Sequence, residues 1–200
     1  MPGMCAADSN IESLVLPEED RELLVDLARA SIRYGLEKGG PLELDHGTFK
    51  PHLLVKRATF VTIEKNSSLR GCIGIIEALR PLAEDIVHNS YAAAFSYPRF
   101  APVTEGEFPE LSYHISILGP LEELDFGSES ELLDIITPRL DGLILRDGPH
   151  SGVFLPMVWE QLPTENSFLA HLKQKAGLRR DYWSDTLRVY RFRTECEFGG

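Results

Sequence analysis

Long apolar runs are missing from this chain. The longest, such as Leu53-Leu54-Val55 and Ile73 to Ile76, fall far short of the about 18 residues that a transmembrane helix needs, so none is expected. Met1 to Asn10 has neither a basic region nor an apolar stretch, which gives no expectation of a signal peptide. Cysteine is scarce: there are 3, at positions 5, 72 and 196. An odd number at wide spacing argues against a disulfide framework and for a reducing compartment, the cytoplasm by default. Positive charge is in deficit, with 20 basic residues against 31 acidic ones and a net charge of -11. That balance opposes loose attachment to nucleic acid or to an anionic membrane. The strings GxGxxG, GxxxxGK with a following Ser or Thr, GxSxG and HExxH do not occur, which removes the usual nucleotide, serine-hydrolase and zincin readings. Histidines at 46, 52, 88, 114, 150 and 171 show no ligand spacing with one another or with cysteine. Neither a metal centre nor a cofactor is therefore expected.

What is present is an ordinary globular composition, 200 residues with 43% hydrophobic and 26% charged, enough for one domain that buries a sizeable core. Residues 1–12 are small and polar and read as a flexible tail, leaving 13–200 as the domain. After Pro17, the acids Glu18, Glu19 and Asp20 suit a first helical turn. Leu23, Leu24, Leu27, Ala28 and Tyr34 form an apolar stripe, and Gly39-Gly40-Pro41 stops it. Residues 41–57 lack a clear period and read as loop. Ala58 to Glu64, a turn at Lys65-Asn66-Ser67-Ser68, and Leu69 to Ile76 predict a β-hairpin. Pro81 opens a second helix, which Pro98 ends. Thr104 with Glu107 reads as a cap, Leu111 to Leu118 as a strand, and Ser128 as the cap of a short helix through Ile136. Strands follow at Leu143 to Arg146 and Gly152 to Leu155 around Asp147-Gly148-Pro149, then a helix from Thr164 to Ala176 and a last strand from Leu187 to Phe198. Helices interleaved with hairpins predict an α+β fold with antiparallel sheets. No stretch is rich enough in Gly, Ser or Pro to mark an internal boundary.

The chain is organised around Leu69-Arg70-Gly71-Cys72-Ile73-Gly74. Two glycines three apart weaken a strand unless a ligand or a second backbone must come close. Strict alternation would put Arg70, Cys72 and Gly74 on one face and Leu69, Gly71, Ile73 and Ile75 on the other. Cys72 is then a candidate nucleophile, with Arg70 favouring its thiolate. The competing reading is a small hydrophobe in a crowded strand pair. No histidine lies within several residues to act as a base, although His88 or His114 can reach it through the fold. Gly71 to Gly74 formally matches the GxxG of a KH loop, but that loop joins two helices and this run follows a strand. The segment 171–193 holds seven Lys or Arg against Asp181 and Asp185, a local +5 interleaved with Tyr182, Trp183, Tyr190 and Phe192. It fits either a nucleic-acid strand or an ordinary solvated surface, and the second reading is preferred. Trp159 and Trp183 read as core anchors.

The hexapeptide resembles the signature of the AMMECR family, and separated motifs in the same order support the likeness. They are Phe60-Val61-Thr62, Ala92-Ala93-Ala94-Phe95 leading into Pro98-Arg99-Phe100, Gly142-Leu143-Ile144, Gly152-Val153-Phe154-Leu155-Pro156 and Val189-Tyr190-Arg191-Phe192. Ala101, where proline is common, and Tyr113 and His114 depart from the pattern, so His114 gains nothing from the likeness. The resemblance implies two unequal α+β subdomains with a cleft between them, and it carries no established reaction. It also implies an AmmeMemoRadiSam setting, in which the chain is an accessory or binding component working with a Memo-type protein and a radical SAM protein through a site at Arg70, Gly71, Cys72, Gly74 and Arg99. The alternative is an enzyme with Cys72 as nucleophile and Arg70 with Arg99 binding a small anionic substrate. A nucleic-acid-binding module ranks third.

Overall fold

The computed structural model describes residues 16–200, so the expected tail over 1–12 and the start of the domain at 13 lie outside the described residues. In chain order the elements are α1 (Glu18–Lys38), β1 (Ala58–Lys65), β2 (Ser68–Gly74), α2 (Leu82–Phe95), β3 (Leu111–Leu118), β4 (Glu122–Glu123), α3 (Glu129–Ile135), β5 (Gly142–Asp147), β6 (His150–Phe154), α4 (Glu165–Lys175), β7 (Arg188–Phe192) and β8 (Thr194–Gly199). The fold is α+β with two antiparallel four-stranded sheets, ordered β2-β1-β3-β8 and β4-β7-β5-β6. The chain divides into two compact units. One holds the described residues up to Leu118 together with Glu195–Gly200, and the other is Gly119–Thr194.

In the first unit, α1 begins after Pro17 with three acids in its first turn. It ends where Gly39, at φ 77, caps it by donating its N–H to the Gly35 carbonyl. Its buried stripe is Leu24, Val25, Ala28 and Ile32, while Leu23 is exposed. The expected stripe is thus rotated by one residue, because both 23/24 and 24/25 satisfy a helical period. The β1–β2 hairpin closes through Asn66 and Ser67, both at positive φ, a turn whose twist suits a two-residue connection. The alternate residues Val61 and Ile63 of β1, and Tyr113, Ile115 and Ile117 of β3, enter one core with α1 and α2.

Polar contacts fix the helices on this sheet. Asp85 of α2 is buried and accepts hydrogen bonds from the Thr59 N–H (3.0 Å), the Thr59 hydroxyl (2.7 Å) and the Asn89 amide (2.9 Å), with Arg80 at 3.3 Å. Burial still pushes its carboxyl above the ordinary carboxylate value against those bonds. Residues 41–57, expected as plain loop, contain 3-10 turns at His46–Thr48 and Pro51–Leu54. They are held to α1 by the buried Asp20, which takes Lys50 at 2.8 Å and His52 at 2.7 Å. Burial opposes the charge on Asp20, but the Lys50 and His52 hydrogen bonds outweigh it and lower its pKa.

The second unit packs α3 and α4 on the sheet around Leu132, Leu143, Leu145, Trp159, Phe168, Leu172 and Val189. Trp159 stacks on Phe168 at 3.8 Å between ring centroids, and its indole N–H donates to the Asp141 carbonyl. Ser128 and Thr164 cap α3 and α4 through their hydroxyls. The single strand expected over Leu187 to Phe198 is corrected here. It breaks at Arg193 into β7 and β8, which belong to different sheets. The break coincides with two competing bonds: the Arg193 guanidinium donates to Asp141 at 2.8 Å, and its carbonyl accepts the Gly119 N–H.

At Gly71 the backbone of α2 lies directly on β2: a Cβ built there would overlap the Ala93 carbonyl oxygen. A Gly71→Ala substitution should therefore destabilise the fold by roughly 1–3 kcal/mol, as overpacking does. Gly106→Ala, which meets open space, should change stability by less than about 0.5 kcal/mol. Chemical denaturation of both variants checks this, and equal effects would contradict it.

Candidate functional site

The LRGCIG run forms most of β2, the edge strand of the first sheet. Its register against β1 pairs Leu69 with Glu64, then Gly71 with Ile63, Cys72 with Thr62 and Gly74 with Phe60. Arg70 has no opposite number, so it is the extra residue of a β-bulge. The bulge breaks the strict alternation on which the shared-face reading of Arg70 and Cys72 rests.

Arg70 is committed within the fold. Its Nε and Nη2 donate to the two Glu107 carboxylate oxygens at 3.0 and 3.1 Å, and Nη2 also donates to the Ala101 carbonyl at 2.9 Å. The guanidinium lies 5.5 Å from the Phe100 ring centroid, and Arg99 lies 5.8 Å from the same centroid. Glu107 meanwhile accepts the Thr104 N–H and hydroxyl, one half of the cap read from their spacing, while its own N–H goes to the Thr104 carbonyl rather than to the hydroxyl. The Arg70 hydrogen bonds are the main reason its carboxyl falls to about 2, against partial burial. Arg70 thus pins the loop after α2 to the bulge through its Nε and Nη2 donors. Arg99 is exposed and has no carboxylate in ion-pair reach among the described residues.

Both glycines are explained by close approach of protein. Gly71 faces the Ala93 backbone, and a Cβ at Gly74 would strike the Phe60 ring and the Thr59 carbonyl. Cys72 lies on the sheet face away from α2, half-buried, and its sulfur accepts the Thr62 hydroxyl at 3.3 Å. Thr62 is in turn paired with His114 of β3. Cys72, Thr62 and His114 therefore form a row across three strands, with His114 Nε2 3.5 Å from Glu64. His88 sits in the helix layer, on the other side of the sheet, beside Glu84. Sequence reasoning missed Glu107 as the partner of Arg70 and Thr62 as the partner of Cys72. Only the hairpin register, with its bulge, identifies the second.

The basic segment of the second unit is largely self-neutralised. Lys173 pairs with Glu129, Arg179 with Asp181, Arg188 with Glu123, Arg191 with Glu122 and Arg193 with Asp141. Phosphate would have to displace carboxylates already in place, which removes most of the electrostatic term behind nucleic-acid binding. Among the described residues no three His, Cys, Asp or Glu side chains are grouped to hold a metal ion, and no helix is long and apolar enough to cross a membrane.

A depressed carboxylate pKa contributes stability that is present above its ordinary value and lost as pH falls through the folded one. Glu107→Gln should therefore lower stability at pH 7 by roughly 1–3 kcal/mol, toward the lower figure because the pair is partly exposed. The gap from wild type should close between the ordinary value of 4.5 and about 2. Urea titrations across that window test it, and a gap that does not depend on pH would contradict the assignment.

The sequence model of the AMMECR1 family matches residues 25–196. A protein of Thermofilum pendens is 39% identical over 196 residues, covering 90% of each chain. One of Methanopyrus kandleri is 36% identical over 186 residues, 88% of this chain and 87% of its own. The crystal structure of an uncharacterized protein from Pyrococcus horikoshii superimposes with a TM-score of 0.82 at 34% identity, over 92% of this chain and 93% of that one. The fold and the extent of these matches agree, and the chain belongs to the AMMECR1 family.

Proposed function

We infer that this chain is an accessory or binding component that works through the LRGCIG region, with a Memo-type protein and a radical SAM protein as its partners. The observation that carries the binding reading is the committed state of the motif. Arg70 is locked to Glu107, Gly71 is filled by the α2 backbone, and the Cys72 sulfur has a hydroxyl donor beside it and, among the described residues, no base in hydrogen-bond contact. A nucleophilic thiol needs a base or a strong local cation, and among the described residues neither touches this one. The partners come from the family setting that the motifs imply.

The second reading, an enzyme with Cys72 as nucleophile on a small anionic substrate, is favoured by the Cys72–Thr62–His114 row. It loses Arg70 as the anion clamp, because recruiting that guanidinium would break its bidentate pair with Glu107. Of the two arginines assigned to the anion, Arg99 is the one not committed to a carboxylate among the described residues.

Affinity purification of the full chain, co-expressed with both partners, separates the readings. At least one partner should co-purify above an untagged control, and Cys72→Ser should retain capture within about twofold, since a Ser side chain keeps the size and loses the thiol chemistry. Enrichment of neither partner overturns the binding reading. In the same preparations iodoacetamide should modify the half-exposed Cys72 and spare the buried Cys196, as read by peptide mass spectrometry; equal labelling of both would contradict the burial on which the site rests.

A further inference from the structure

We propose that the outer edge of β2 is a strand-addition site, which takes an extended segment of a partner polypeptide running antiparallel to β2 and bearing a carboxylate side chain at its Arg99 end. The proposal rests on the binding reading above and specifies the chemistry of the partner.

In an antiparallel ladder, opposed residues alternate between pairs that exchange both backbone hydrogen bonds and pairs that exchange none. The Ile75 N–H donates to the Thr59 carbonyl at 3.2 Å, which sets the phase. Val61 with Ile73 is then a bonded pair, whereas Phe60 with Gly74 and Thr62 with Cys72 are not. The contact between the Thr62 hydroxyl and the Cys72 sulfur agrees, because side chains come closest in the non-bonded pairs. The N–H and C=O of Cys72 and Gly74 therefore point away from β1, toward the edge.

No loop, turn or side chain among the described residues hydrogen-bonds these four groups, and residues 72–76 are half-exposed. Folded proteins ordinarily blunt such an edge. Here the blunting is confined to one end, where the bulge at Arg70 and the Arg70–Ala101 bond bring the loop after α2 alongside. The rest presents donors and acceptors two residues apart, the spacing that an added strand matches.

Charge fixes the chemistry of the occupant. Arg99 and Arg70 flank the exposed Phe100, and Arg70 is neutralised by Glu107 while Arg99 is not. Among the described residues Arg99 thus meets no carboxylate, and with Phe100 and Arg70 it lies toward the N-terminal end of β2. An antiparallel segment reaches that end with its C-terminal part, so its acid follows the residues that pair with Gly74 and Cys72.

Amide hydrogen exchange on the full 15N-labelled chain tests the geometry. In the free protein the Cys72 and Gly74 amides should exchange at least tenfold faster than those of Ile73 and Ile75. The probe is the capped peptide Thr-Val-Thr-Val-Glu, with its Gln-terminated analogue. The Glu peptide should slow exchange at Cys72 and Gly74 and bind about threefold more tightly than the analogue, the range of one exposed ion pair. Arg99→Ala should erase that preference. Cys72→Pro removes an outward N–H without removing a ladder bond, a substitution that edge strands tolerate; it should weaken peptide binding at least tenfold, while Cys72→Ala stays within about twofold.

Slow exchange at Cys72 and Gly74 in the free chain would overturn the proposal whatever Cys72→Pro does to folding. So would equal binding by the Pro and Ala variants, or protection that rises with protein concentration without peptide, which would give the edge to a second copy. If the partner complex forms while these amides stay unprotected, strand addition fails and the binding reading stands.

Discussion

The contact between Gly71 and the Ala93 carbonyl sets the geometry of the first unit, because a strand backbone can lie this near a helix backbone only where the strand residue has no side chain. Ala93 and Ala94 supply the matching small surface on α2 and are themselves buried. With α2 fixed at this point, Asp85 and Asn89 fall over Thr59 and close a buried polar network. Such a network helps specify one arrangement only when every member is satisfied, and Asp85 has four donors around it. The same contact decides which side chains of β2 face the helix layer and which face away, so the accessibility of Cys72 is a consequence of helix packing at its neighbour.

Charge at the motif is structural before it is functional. Arg70 occupies the bulge, where a residue without an opposite partner is free to turn its side chain along the sheet edge toward Glu107. Its guanidinium then gathers a carboxylate, a backbone carbonyl and an aromatic ring. A bidentate pair of this kind is directional as well as strong, so it places the segment around Phe100 and Glu107 against the hairpin. The consequence is a division of labour between two arginines of the same motif cluster: one holds the loop in place and the other stays exposed on it.

The second unit treats its cations in the same way. Its basic residues are spaced among aromatic ones in the sequence, yet Lys173 is fully buried against Glu129 and beneath Trp183, and Arg191 and Arg193 both converge on the buried Asp141. Asp141 also accepts the Thr137 N–H, so its desolvation is offset from several directions. A local excess of positive charge along the chain therefore becomes a set of internal pairs with acids from β4 and from the α3 region.

Much of this was legible in the residues themselves. The helix after Pro17 with its Gly39 stop, the hairpin turning at Asn66-Ser67, the caps at Ser128 and Thr164 and the antiparallel class all follow from local rules, because caps, turns and periodicity act over a few residues. The Thr104–Glu107 pairing was visible for the same reason. What the chain alone left open depends on neighbours distant in sequence: that Arg70 is a bulge residue committed to Glu107, that Gly71 answers the Ala93 carbonyl, that Cys72 meets Thr62, and that the last strand divides at Arg193 between two sheets. Alternation along β2 is a one-dimensional rule, and one inserted residue reverses its phase. Only the pairing of β2 with β1 decides where that insertion sits, so the sequence determined which residues form the motif, and the tertiary structure decided which of their groups point outward.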